Sequence, residues 1–380
     1  MPPHKLFMTK HFPSKSSSRS ISRDRQTNTV IPHETIGTKV KRSIDNIRVS
    51  TGSAIVLGLL RGRLDAEPTT IYLLTYRDEK CSANCGFCPQ AMTSKGRADM
   101  LSRVTWPPFP TRQVLSRIER IAKTDAIKRV CIQALNYLTV FDDILSLVGE
   151  IKSRVKVPIS VSCQPLNLDK MKTLAEAGVD RISIALDAAT EEIFDKVKGR
   201  IVGGPYFWER QREALREAVK IFGEGSITTH LIVGLGETEE EMVQMIQRCV
   251  DLGVYPGLFA FTPIPGTLLE NSPQPSLSYY RRIQIAHYLI THGKTRCENM
   301  IFDDDVCLID FGVSKEQLRE VIETGEPFVT SGCSGCNRPY YNERPGGPIY
   351  NYPRQPLPEE IAEIERQIGI LCPKPFRPSC

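Results

Sequence analysis

The chain has 380 residues, 41% hydrophobic and 24% charged, which is the profile of a globular protein and not of a fibrous or low-complexity one. No apolar run reaches the roughly 18 residues of a membrane helix; the longest candidate, Ala54 to Leu60, contains Gly58 and is followed by Arg61 and Arg63. The net charge of +5 sits in residues 1–50, with ten Lys/Arg against three Asp/Glu, whereas the rest holds 39 against 41, so nucleic-acid binding by the body is not expected.

Residues 1–40 are rich in Ser, Lys and Arg, with six serines between Ser14 and Ser22, and read as a disordered basic extension. An organelle transit peptide and a true start at Met8 are the alternatives. The N-terminus has no apolar signal segment, so the protein is expected in the cytoplasm. There, twelve cysteines are read as metal or catalytic groups and not as a disulfide scaffold. Residues 41–69 are expected to form a helical segment.

From residue 70 to 332, short β-rich runs alternate with amphipathic stretches. Strands are predicted at 71–75, 129–133, 159–163, 181–186, 226–233, 257–262, 300–302 and 327–330. Helices are predicted at 141–155, 168–177, 208–222 and 239–252. Alternation of this kind implies a parallel α/β sheet. Eight units over roughly 265 residues predict a (β/α)8 TIM-type barrel, with an open doubly wound sheet as the alternative. Residues 333–380, dense in Pro, Gly, Tyr and Arg, are expected to pack across the barrel mouth, with one helix at 359–370.

Directly after the first barrel strand stands Cys81-Ser-Ala-Asn-Cys85-Gly-Phe-Cys88. At this cysteine content such a triad arises by chance about once in a hundred chains. In a barrel the position is the C-terminal face, where active sites form. Three thiolates hold three irons of a four-iron cluster and leave the fourth iron open, whereas electron-transfer ferredoxins close all four with Cys. Phe87 and Pro89 are expected to shield the cluster. The alternative, zinc, needs a fourth ligand that is not local, since no His lies nearby. A second pair, Cys333-Ser-Gly-Cys336, follows the last predicted strand; Gly332 and Gly335 permit its tight turns. Cys131 and Cys163, on the second and third strands, are its candidate co-ligands. Cys297 and Cys307 compete with them, and Cys249 and Cys380 read as bland.

The triad resembles the C-x3-C-x-aromatic-C signature of the radical S-adenosylmethionine (radical SAM) superfamily. The resemblance implies that the amine and carboxylate of S-adenosylmethionine chelate the open iron, and that a 5′-deoxyadenosyl radical abstracts hydrogen from an unreactive carbon. Over residues 70–335 the likeness is closest to biotin synthase-like enzymes. It implies nucleoside packing at Ile232-Val233 before Gly234-Leu235-Gly236-Glu237-Thr238, ribose binding at Asp187, and carboxylate pairing at Arg210. Phe87 borders the same cofactor. The family's second ribose ligand is replaced by Ala185. The family's auxiliary-cluster ligands are present only at Cys131; Ser160 and Thr228 stand near the other two, and no Arg lies in 298–304.

The run from Cys336 to Gly347, with Leu101–Pro107 and Cys131-Ile-Gln133-Ala, resembles one component of the two-component lipoyl synthases of archaea. That implies an octanoyl chain on a carrier-protein lysine as substrate and C–H replaced by C–S at the sixth or eighth carbon. It also implies an auxiliary iron–sulfur cluster as sulfur source, a paralogous second component and a low-potential electron donor. Arg338 and Arg344 would anchor the cluster or the carrier. The alternatives are a biotin synthase-like enzyme with another small substrate, an electron carrier, and a zinc-bearing nucleic-acid module. The expected class is a sulfurtransferase, with no membrane or nucleic-acid partner.

Overall fold

The structure is a computed structural model that describes residues 44–343 and 346–368. The expectations for residues 1–40, Met8, Arg344 and Cys380 fall outside the described residues.

Among the described residues twelve strands occur in chain order: β1 (Asn46–Val49), β2 (Thr70–Thr75), β3 (Met100–Leu101), β4 (Val104–Thr105), β5 (Pro108–Pro110), β6 (Arg129–Gln133), β7 (Ile159–Ser162), β8 (Arg181–Ser183), β9 (Ile227–Val233), β10 (Val254–Ala260), β11 (Ile301–Phe302) and β12 (Leu308–Asp310). The helices are α1 (Thr51–Val56), α2 (Thr111–Ile121), α3 (Val140–Lys152), α4 (Leu168–Glu176), α5 (Glu191–Val197), α6 (Trp208–Phe222), α7 (Glu239–Asp251), α8 (Leu277–Thr291), α9 (Lys315–Thr324) and α10 (Pro358–Ile368). No helix among the described residues is long and apolar enough to cross a membrane.

The main sheet has eight strands in the order β10-β9-β8-β7-β6-β2-β1-β5. The six from β2 to β10 pair in parallel, each crossing over through helices, and give the expected α/β barrel-type fold. Its last two members differ from expectation. β1 and β5 join antiparallel beside β2, because Ile47 and Val49 lie on a segment short enough to fold back as a strand and bury both side chains. The predicted seventh strand is reduced to β11, which pairs with β12 in a separate hairpin. The predicted eighth is a 3-10 turn over Glu326–Phe328, whose Pro327 donates no backbone hydrogen bond, followed by one bridge between Val329 and Tyr352.

The helices start where local chemistry dictates. Thr238 with Glu241, and Ser314 with Gln317, form capping boxes at α7 and α9. Their inner faces close over strands that are buried along nearly their whole length, as parallel strands covered by helices must be.

Segment 331–343 occupies the place left by the missing strands. Ser331 Oγ accepts from Leu258 N on β10, and Asn337 bonds to Thr69 and Glu67 at the start of β2. Asn342 then reaches Thr262 beyond the end of β10. The pair Cys333/Cys336 therefore lies toward the N-terminal ends of the strands: Gly335 meets Thr69 and Lys128. This corrects its expected position beside the triad at the mouth, and the cause is the conversion of the predicted eighth strand into a turn. Arg281, fully buried, fixes the returning chain by donating to the Ile349 and Tyr350 carbonyls, Gln284 and Gln367. Replacing Arg281 by Met orphans several buried carbonyls. It is expected to cost roughly 3 kcal/mol in chemical denaturation and to open the region after residue 343 to limited proteolysis.

Candidate functional site

Side chains alternate along a strand, so one set from each parallel strand faces the barrel interior. They are Tyr72 and Leu74 on β2, Cys131 and Gln133 on β6, Ser160 and Ser162 on β7, Ser183 on β8, and Thr228, His230 and Ile232 on β9. These residues line one cavity of about 270 Å³ that also reaches Cys81, Cys85, Cys88, Cys333 and Cys336.

The triad loop is held from all sides. Lys80 Nζ donates to the carbonyls of Pro89, Ser94 and Gly96, and buried Gln90 donates to Ala98 and Met100. Gly86 N bonds to Val197 O. Backbone N–H groups point at sulfur: Asn136 N and Ala83 N reach Cys81 Sγ at 3.0 and 3.4 Å, and the amides of Gln90 and Ala91 bond to Cys88. Burial pushes the Cys88 thiol up to about 12 and raises Cys85 further, so without a metal both stay protonated at neutral pH. Oriented N–H donors gain most from thiolates, and burial of thiolates is offset only by bound metal. The donor set thus fits an iron–sulfur cluster. Among the described residues no three His, Cys, Asp or Glu side chains converge on a single metal ion.

At the other end of the cavity, register places Tyr72, Cys131 and Ser160 abreast on β2, β6 and β7. The Cys336 sulfur lies 2.9 Å from the Tyr72 hydroxyl, and the Cys333 sulfur 3.6 Å from Ser160 Oγ. The two tail thiols thereby bracket Cys131, whose thiol is raised by burial and then by Cys333 and Cys336. Cys163 lines the cavity nearer its mouth, and burial alone pushes its thiol up to about 12. It is not grouped with the other three. Cys297 begins a 3-10 turn after α8 and donates its backbone N–H to Gln247 on α7, and Cys307 lies in the hairpin turn; neither lines the cavity. Cys249 is buried in the core on α7.

Arg129, two residues before Cys131 on the same strand face, is buried and donates to Ser160 Oγ at 3.0 Å. Its Nε has no hydrogen-bond partner among the described residues. Arg338 donates to the Ser331 carbonyl and stacks over the Phe259 ring at 3.8 Å, at the cavity wall.

Asp187 has φ +66° and extends the line of β8 through a parallel bridge to Leu231 on β9; Thr190 caps α5. Its carboxylate is buried against Lys198 Nζ at 2.6 Å. Phe87, Asp187 and Ile232 line the cavity, whereas Val233 points into the core and Arg210 is exposed outside it, stacked on Phe207 at 5.6 Å. Gln211, one position on, is the α6 side chain that reaches the cavity. The turn after β9 needs Gly234: its φ is +100°, a Cβ would approach Pro275 to 2.8 Å, and Glu237 accepts from Gly234 N and Leu235 N.

The sequence reading missed Tyr72, Arg129, Lys198, Tyr206, His230 and Tyr341. Strand alternation would have found Tyr72, Arg129 and His230, each an even step from a lining residue. Lys198, Tyr206 and Tyr341 sit on irregular backbone, where no period exists to read.

Residues 79–249 match the family model of the radical SAM superfamily. A biotin synthase of Desulforudis audaxviator is 25% identical over 68% of this chain and 76% of its own, and one of Hyphomonas neptunium is 25% identical over 70% and 85%. With the biotin synthase of Delftia acidovorans the match covers 61% of the relative. Among solved structures, methylornithine synthase is similar at 16% identity over 80% of this chain and 83% of its own, with a TM-score of 0.46. The family's cofactors are a four-iron cluster and S-adenosylmethionine, and the triad fits the first of them.

His230 in the cavity and His287, bonded to the Pro256 carbonyl, are both held neutral by burial, with pKa values lowered to about 4. The unfolded chain takes up their protons near pH 6.5, so stability is full above that pH and declines as the pH falls toward 4. The loss is expected to be on the order of 2–3 kcal/mol per histidine by denaturant titration at several pH values, and shallower in His287→Gln.

Proposed function

Taking residues 79–249 as a radical SAM segment, we propose that this protein inserts sulfur into an unactivated C–H bond, as one component of a lipoyl synthase. The observation that carries the reading is the second thiol group, Cys131 with Cys333 and Cys336, in the same cavity as the triad. A hydrogen-abstracting enzyme needs only the triad; a sulfur-inserting one also needs a sulfur source within reach of the same carbon.

When bound, the triad's cluster and S-adenosylmethionine supply a 5′-deoxyadenosyl radical at the upper end of the cavity. The protein's own part is position and exclusion of water. Leu101, Phe261 and Phe259 give the cavity an apolar wall for a saturated chain. Cys131, Cys333 and Cys336 would hold the second cluster. Arg129, a buried guanidinium without a carboxylate partner among the described residues, supplies charge opposite these thiolates. The substrate in this reading is an octanoyl chain on a carrier-protein lysine, with a paralogous second component and a low-potential electron donor as partners. A biotin synthase-like enzyme acting on a different small molecule is the second reading. It is favoured by the polar side chains His230, Ser183 and Gln133 in mid-cavity, which an octanoyl chain does not require.

Anaerobically reconstituted protein is expected to hold about eight irons per chain, and Cys333→Ala/Cys336→Ala about four. An unchanged iron count in the double variant would remove the second site. Turnover with an octanoylated carrier peptide, alone and with a candidate partner, should add sulfur detectable by mass spectrometry. Loss of that gain in Cys85→Ala, together with loss of 5′-deoxyadenosine, supports the reading; no gain in any combination sinks the lipoyl assignment.

A further inference from the structure

The position matched to the family's carboxylate-binding arginine does not reach the site. The apolar side of α6 fixes the helix: Trp208, Gln211, Ala214, Leu215 and Ala218 are buried, and Arg210 points outward onto Phe207. Another cation lines the cavity. Lys198, only 5% exposed, follows α5, and its ammonium lies against Asp187 Oδ2 and the Ala185 carbonyl, each at 2.6 Å. The Tyr206 ring flanks it at 5.1 Å. Val197, the residue before it, accepts a hydrogen bond from Gly86 N in the triad loop, so Lys198 sits on the triad side of the cavity.

We propose that Lys198, and not Arg210, is the cation that receives the carboxylate of S-adenosylmethionine. The inference rests on the radical SAM reading but not on the lipoyl one. Three considerations support it. Lys198 and Arg338 are the permanent cations among the described cavity-lining residues, and Arg338 is engaged at the opposite end by Phe259 and the Leu258 and Ser331 carbonyls. An ammonium has three donors, and Asp187 and Ala185 use two, which leaves one for a ligand oxygen. The small side chain at Ala185, where the family's ribose-binding Asn is missing, also lets the ammonium reach that carbonyl. Lys198 thus acts as a positioning residue: it holds the ligand's carboxylate end and keeps Asp187 oriented.

The test uses the reconstituted full chain, reduced by one electron. Its electron paramagnetic resonance spectrum is titrated with S-adenosylmethionine and, separately, with the decarboxylated analogue. The wild type is expected to prefer the carboxylate-bearing ligand. Lys198→Met should shrink that preference by roughly ten- to a hundredfold, the worth of a charge-assisted hydrogen bond. Arg210→Ala should leave it unchanged, and Lys198→Arg should retain most of it. Because Lys198→Met leaves Asp187 buried without a partner, the double variant Lys198→Met/Asp187→Asn is measured beside it, with iron content as the check on folding. Any loss of ribose contact in the double variant weakens both ligands alike and cancels in the preference. A preference unchanged in Lys198→Met and in the double variant, or one that collapses in Arg210→Ala, overturns the proposal. A wild-type spectrum that responds to neither ligand overturns it together with the radical SAM reading, and is distinguishable for that reason.

Discussion

The cavity depends on segment 331–343 being drawn inside the barrel wall. Six parallel strands supply the interior-facing side chains, but only one of those side chains on the lower layer, Cys131, is a thiol. Its register neighbours are Tyr72 and Ser160. The tail delivers two more thiols to these very neighbours, and it can do so because the chain after α9 turns at Gly325 and never completes another strand. A regular final strand would direct alternate side chains away from the interior and would carry the pair up to the mouth.

The same constraint divides the electrostatics into two ends. Near the triad, Lys198 and Asp187 pair with one another, and the Cys81 sulfur sits under a backbone N–H donor. Near the second group, Arg129 and Arg338 have no carboxylate partner among the described residues. Buried guanidinium groups are stable where an anion comes to them, and metal-bound thiolates are such an anion. Between the two ends lie His230 and Tyr341, which meet across the Phe259 ring. Burial holds the imidazole neutral and the phenol protonated, so this middle zone offers polar atoms without charge.

Much of this was legible in the sequence, and what was not has a physical reason. Alternation of β-rich and amphipathic runs located all six parallel strands to within a few residues, because the positions covered by helices, such as Val130, Ile132, Ile159, Val161, Leu231 and Val233, are buried and apolar. The triad was legible because its ligands are local. The strands predicted at 300–302 and 327–330 failed as members of the sheet, since short apolar runs cannot announce whether they find a neighbour. β1 was missed for the same reason. Cys163 and Cys131 looked alike in sequence, each on a β-rich run; only strand register shows that Cys131 lies level with the tail thiols. Arg210 was placed by resemblance and displaced by helix phase, whereas Lys198 sits on irregular backbone that gives no periodic signal.

The proposed function requires two separate thiol-bound metal centres in one cavity, one at each end. Anomalous diffraction at the iron absorption edge from crystals of reconstituted protein tests it most directly. The account predicts two iron peaks, one at Cys81, Cys85 and Cys88 and one beside Cys131, Cys333 and Cys336. A single peak at the triad, or a second peak held by Cys163, Cys297 or Cys307, would contradict it.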